Sequence, residues 1–209
     1  MIVVFISISY FISCGDNADI SSVDESSKYS KTTRIKLIDS LGALSLDIPA
    51  KYDTLYSWVD QSDCGKPCDE QKYRYQSKSF PIVKESGFMW VETTVDSVDR
   101  LTISHSAYFP FKNGDSTIMK RDHSHFKEKI LYEAIDEKLI LDTIQKIGDR
   151  YFSIVAVGKS DTIFSRKVFA TTTIKGNLIQ FKYEKLARHT DSLNDNFVAN
   201  AKDLIKTIR

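Results

Sequence analysis

Residues 163–174 (IFSRKVFATTTI) and 178–186 (LIQFKYEKL) are two long runs rich in β-branched and aromatic residues, and only Lys175-Gly176-Asn177 separates them. Gly and Asn tolerate positive φ, so this link reads as a tight hairpin turn and the two runs pair antiparallel. Any fold for this chain has to be built around that hairpin.

Other segments supply material for the same sheet. Residues 35–38 and 43–49 form a second hairpin across the 39–42 turn; Leu44, Leu46 and Ile48 alternate on one face, and Pro49 ends the strand because proline cannot donate to a ladder. Further strands are expected at 72–78 (KYRYQSK), 88–94 (FMWVETT), 100–105 (RLTISH) and 151–157 (YFSIVAV). Residues 124–147 read as helical: Phe126, Ile130, Ala134, Leu141 and Ile144 share one face, and Gly148 is placed to cap the end. Leu131, Ile135 and Leu139 lie on the opposite side, so this helix is either covered on both faces or broken near Asp136. Leu193, Phe197, Ala201, Leu204, Ile205 and Ile208 trace one face of a C-terminal helix, with Asp191 or Ser192 near its start and Lys206 and Arg209 near its end, as the macrodipole prefers. No internal repeat is visible. The expected class is α+β, an antiparallel β-sheet with packed helices.

The ending VFATTTIKGNLIQFKYE followed by NDNFVANAKDLIKTI, together with the strand GALSLDIP (42–49), resembles the PsbP family of extrinsic photosystem subunits and its bacterial relatives. The resemblance is one of layout, spans most of residues 34–209, and implies an α/β sandwich with an accessory or binding role rather than an enzymatic one. Fold alone transfers no function.

The chain opens MIVVFISISYFISCGDN, with no charged side chain before Asp16. An apolar run of about eleven residues is too short to cross a hydrocarbon core of roughly 30 Å, but it suits the h-region of a secretory signal. Phe11-Ile12-Ser13-Cys14-Gly15 resembles the lipobox of bacterial lipoproteins, although Phe11 stands where Leu is usual and no basic n-region precedes it. The resemblance implies a signal peptide over 1–13, a lipid (palmitate-class) anchor on Cys14, and a place in the cell envelope, at the outer membrane or cell surface. Residues 15–33 (GDNADISSVDESSKYSKTT) are too polar to fold and read as a tether with a reach of around 24 Å. The expected organisation is therefore signal 1–13, tether 14–33 and a single domain 34–209, with a membrane as one partner through its lipid and an envelope protein or small ligand as another.

With 29 Lys+Arg against 28 Asp+Glu and no basic run, nothing in the charge calls for nucleic acid. Two cysteines, Cys64 and Cys68, flank a Gly-Lys-Pro turn. Their spacing of three intervening residues departs from thioredoxin-like pairs, and in an oxidising compartment a disulfide is favoured over a metal clip or free thiols. His123 and His125, in RDHSH, would share a metal if that segment were extended, with the two cysteines completing a tetrahedral set, and the chain would then be a metal-dependent envelope enzyme or metal-binding protein. The plainer reading makes RDHSH a solvated helix entry capped by Asp122 or Ser124. G-x-S-x-G, H-E-x-x-H, P-loop and G-x-G-x-x-G motifs are absent, so no catalytic residue and no cofactor are assigned. Glu92, Asp96 and Asp99 read as loop charges. Tyr108, Phe109 and Phe111, around Pro110, are a partner-binding surface if exposed and a hydrophobic plug if buried.

Overall fold

A computed structural model describes residues 30–38, 41–85, 97–107, 120–161, 163–188 and 196–209. The expected strand at 88–94 and the aromatic cluster Tyr108, Phe109 and Phe111 lie outside the described residues, as do Cys14, Glu92 and Asp96.

Nine strands and two helices are described: β1 (Ser30–Lys36), β2 (Ala43–Pro49), β3 (Thr54–Asp60), β4 (Glu70–Gln76), β5 (Val98–Ser106), α1 (Lys120–Glu133), β6 (Lys138–Ile147), β7 (Arg150–Ser160), β8 (Ile163–Ile174), β9 (Asn177–Arg188) and α2 (Phe197–Ile205). Strands β3 to β9 make one antiparallel sheet in the order β3-β4-β5-β9-β8-β7-β6, and β1 and β2 pair separately. The fold is mostly antiparallel sheet, with a smaller helical share than the sequence suggests. Among the described residues, no helix is long and apolar enough to cross a membrane.

The β8–β9 hairpin closes as expected. Lys175 (φ 50°) and Gly176 (φ 77°) both sit in the left-handed region, between the paired residues Ile174 and Asn177, as a type I′ turn demands. Its strands occupy the centre of the sheet, flanked by β5 and β7.

Alternation along the central strands divides the sheet into two faces. One carries Leu101 and Ile103 of β5, Ile179, Phe181 and Tyr183 of β9, Val168 and Ala170 of β8, and Phe152, Ile154 and Ala156 of β7, all essentially buried. The β1–β2 hairpin covers this face with Ile35, Leu44, Leu46 and Ile48, and α2 adds Ala201 and Ile205. The chain end clasps the hairpin: Ser45 and Arg209 exchange two backbone hydrogen bonds of 3.0 and 2.8 Å, and the Asp47 N–H donates to Thr207 Oγ1. On the other face, Val155, Val157 and Phe169 pack against Ile130 and Ala134 of α1.

Three expectations need correction. The tether does not extend to residue 33, because Ser30 to Thr33 are already strand; β-branched Thr32 and Thr33 pair with Asp47 and Leu46, and Thr32 Oγ1 donates to Asp47. The helix expected at 124–147 ends at Glu133, and residues 138–147 form β6. Its stop is Asp136, a residue that tolerates the left-handed region (φ 68°); Leu131 and Ile135 are then exposed rather than covered. Gly148 (φ 60°) turns the β6–β7 hairpin instead of capping a helix, and these two roles demand the same backbone geometry. A strand not expected from the sequence, β3 (TLYSWVD), lies at the sheet edge and shows there only as an aromatic and β-branched run.

Candidate functional site

The face opposite the hairpin is polar over half its width. Lys72 and Arg74 of β4, Arg100, Thr102 and Ser104 of β5, Gln180, Lys182 and Glu184 of β9, and Phe169 and Thr171 of β8 all project to it, being the alternates of the apolar core positions. Helix α1 stands over this surface and leaves a groove of about 630 Å³, within the ordinary range of ligand sites. Phe126, Ile130, His125 and Lys129 form its α1 wall.

The strand register orders the floor into rows. Lys72, Ser104, Gln180 and Thr171 are direct cross-strand neighbours in one row; Arg74, Thr102, Lys182 and Phe169 form the next. Beside them runs a ladder of ion pairs. Glu184 Oε1 accepts from Lys182 Nζ at 2.7 Å and its Oε2 from Arg100 Nε at 2.8 Å; Arg100 also reaches Glu85 at 3.6 Å. Arg74, only 2% exposed, donates from Nη2 to both oxygens of Glu85 (2.8 and 2.9 Å), from Nε to Thr102 Oγ1 and from Nη1 to the Val83 carbonyl, with its guanidinium 4.8 Å from the Trp58 ring centroid. Lys72 pairs with Asp60.

Burial pushes the Glu184 carboxyl up, but the charges of Lys182 and Arg100 and the hydrogen bonds they donate outweigh it and bring it down to about 2. Burial works against the Arg100 charge as well, yet Glu184 and Glu85 hold its pKa above the ordinary value. On the apolar side, burial lowers the His105 pKa, against the opposing pull of its 2.8 Å contact with the Ser106 carbonyl.

A second polar cluster pins α1 to the sheet. His123 Nδ1 lies 2.5 Å from Ser153 Oγ and its Nε2 lies 2.6 Å from Asp142 Oδ1, while Lys127 Nζ donates to Asp142 Oδ2 at 2.9 Å. The hydrogen bond donated by Lys127, aided by His123, lowers the Asp142 pKa against burial. The connectivity is that of a hydrolase Ser-His-Asp relay, but Ser153 has no exposed surface and does not line the groove. With no access for an acyl donor, the trio serves as a latch between α1, β6 and β7.

This placement revises the histidine reading. RDHSH is not extended: it forms the opening turns of α1, with Asp122 in the first, and residues two apart there point about 200° away from each other. His123 spends both ring nitrogens on Ser153 and Asp142, while His125 opens to the groove, so the two are not brought together as metal ligands. Among the described residues, no group of three or more His, Cys, Asp or Glu side chains is placed to hold a metal ion. Cys64 and Cys68 are joined by a disulfide, as expected, with Cα atoms 5.8 Å apart around a short 3-10 turn, Lys66–Cys68; Gly65 (φ 81°) allows the turn, and both cysteines are exposed and neither lines the groove. Asp99 is no free loop charge: it accepts from Tyr52 Oη and pairs with Lys51.

Sequence reasoning did not find the groove. Its signal is the polar half of each alternating strand, Arg100-Thr102-Ser104 and Gln180-Lys182-Glu184, which reads as a solvated sheet face until a helix is placed over it.

No protein-family model matches the chain, and a search of the curated proteins returns no match. Among solved structures, the chain is similar to the solution structure of cyanobacterial PsbP (CyanoP) from Synechocystis sp. PCC 6803, at 12% identity over 87% of this chain and 93% of that one, with a TM-score of 0.47.

Proposed function

We propose that this chain is a non-catalytic binding or accessory domain of the cell envelope, held to a membrane by lipid on Cys14, with the groove under α1 as its ligand site. The observation that carries the binding role is the groove itself: a sheet face left open and polar, with Ser104, Gln180 and Thr171 turned into a cavity of about 630 Å³. The anchoring role draws its support from the lipobox-like Phe11 to Cys14 run and the polar stretch after it. The PsbP-like layout belongs to the same proposal as a fold expectation and lends it no ligand.

Two measurements test the two halves. Metabolic labelling with a palmitate analogue should mark the wild-type chain and miss Cys14→Ala, which should also leave the membrane fraction; continued attachment without label contradicts the anchor. A screen of small polar fragments against the full chain should place hits in the groove, and hits confined to other surfaces contradict the site.

A further inference from the structure

We infer that the groove takes a neutral, hydroxyl-rich ligand of the saccharide class, seated on the row formed by Ser104, Gln180 and Thr171. The inference rests on the groove being a binding site and adds the chemistry of what it binds.

The first argument is charge. The groove is lined by five lysine or arginine cations and five carboxylates, so it presents no formal excess of either sign. Its most buried charges are already spent on one another: Glu184 on Lys182 and Arg100, Arg74 on Glu85. An anionic ligand could win Lys182 or Arg100 only by stripping Glu184, leaving a buried carboxylate uncompensated, which costs more than the new pair returns. A cation competing for Glu184 meets the mirror of that cost.

The second argument is the floor between the charges. Ser104, Gln180 and Thr171 are cross-strand neighbours, Ser104 opposite Gln180 and Gln180 opposite Thr171. Thr171 is 2% and Ser104 9% exposed, and no described side chain is hydrogen-bonded to either hydroxyl or to the Gln180 amide. Strand spacing of about 4.8 Å sets this row at roughly 10 Å from end to end. Each hydroxyl both donates and accepts, and the amide offers two donors and an acceptor. Their complement is a ligand that itself donates and accepts at closely spaced positions, as the adjacent hydroxyls of a pyranose do.

The third argument is the wall. A pyranose has an apolar C–H face beside its hydroxyl edge, and Phe126 and Ile130 of α1, with Phe169 of the floor, offer apolar surface next to the row. A purely hydrophilic floor under a helix would lack this second surface.

The test is an NMR titration of the isotope-labelled full chain with maltose and N,N′-diacetylchitobiose, set against glucuronic acid, glucosamine and inorganic phosphate. A neutral disaccharide should shift the Gln180 side-chain amide and the backbone amides of Ser104 and Thr171. Thr171→Val, which keeps the shape and removes the hydroxyl, should weaken the binding at least tenfold, and Thr171→Ser should stay within about threefold of wild type. Gln180→Leu should abolish it, with the undisturbed spectrum of the β1–β2 hairpin showing that the variant is folded. A charged probe that perturbs the row more strongly than either disaccharide overturns the saccharide assignment and leaves the groove as a site. Silence of the row to every probe overturns both. Equal binding by Thr171→Val and wild type removes the row as the recognition element.

Discussion

The two faces of the seven-stranded sheet are made from the same strands, residue by residue in alternation, yet they do different work. Along β9, Ile179, Phe181 and Tyr183 sink into the core under the β1–β2 hairpin, while Gln180, Lys182 and Glu184 face the groove under α1. Among the described residues, the covered face is closed by a hairpin, a helix and the chain end. The open face holds its charges in pairs and keeps a row of uncharged polar groups available. A period of two thus lets one strand carry the stability on one side and the chemistry on the other, with little interference between them.

If that division is real, substitutions on the covered face should cost the most. Phe181→Ala should lower unfolding free energy by about 4 kcal/mol, read by urea denaturation, since a fully buried aromatic leaves a cavity that the hairpin and β7 cannot close. A loss below about 1 kcal/mol would blur the distinction between the faces.

Next in size is Glu184, a groove residue that is also structural. Glu184→Gln leaves Arg100 and Lys182 facing each other without their shared carboxylate, and should cost about 3 kcal/mol. Its pH signature sharpens the comparison. Because the folded carboxyl sits at about 2, below its ordinary 4.5, the stabilisation is complete above pH 4.5 and is lost as pH falls from there toward 2. His105, on the covered side, has a pKa lowered below 6.5 by burial, so its neutral form favours the fold and its contribution is lost as pH falls below 6.5. Stability against pH should therefore show two descents on the acid side. Glu184→Gln should shrink the lower one, to which Asp142 also contributes, and leave the upper one unchanged; loss of the upper descent in that variant would contradict the assignment.

The disulfide belongs to neither face. It closes a loop of about five residues, so replacing Cys64 and Cys68 together by Ser should cost at most about 2 kcal/mol and leave groove binding unchanged. Thiol titration of the unreduced protein should find neither cysteine reactive. Thr171→Val is expected to be the smallest effect on stability, under about 1 kcal/mol, while its effect on binding is large; the opposite pattern would make the row part of the core.

How much of this was legible in the sequence follows from the range of the forces involved. The β8–β9 hairpin and the β1–β2 hairpin could be read because each is closed by local turn chemistry, Lys175-Gly176 in the first and the residues before Ala43 in the second. The apolar face of α2 could be read for the same reason, its pattern being local, although the helix has Asn196 as its N-cap rather than Asp191 or Ser192 and ends at Ile205, before Ile208. Residues 138–147 could not, because an aliphatic-rich run ending in Gly-Asp satisfies a helix cap and a hairpin turn equally well, and only pairing with β7 decides. The groove was the least legible part. Ser104, Gln180 and Thr171 lie more than sixty residues apart at the extremes and become a row only through strand order, while His123 finds Ser153 and Asp142 only when α1 is laid on the sheet. The cysteine pair did not carry its answer in its spacing, which argues only against a thioredoxin-like pair; the disulfide was legible through the oxidising compartment that the N-terminal stretch implies.

The central claim is that the open face, rather than the covered one, is where this protein meets its ligand. The most direct test is an amide chemical-shift map of the full chain recorded with a mixed set of small polar fragments. Perturbations should gather on Ser104, Gln180, Thr171 and the groove-facing residues of α1, leaving the β1–β2 hairpin and α2 silent. Perturbations gathered on the hairpin and α2, with the groove silent, would contradict it.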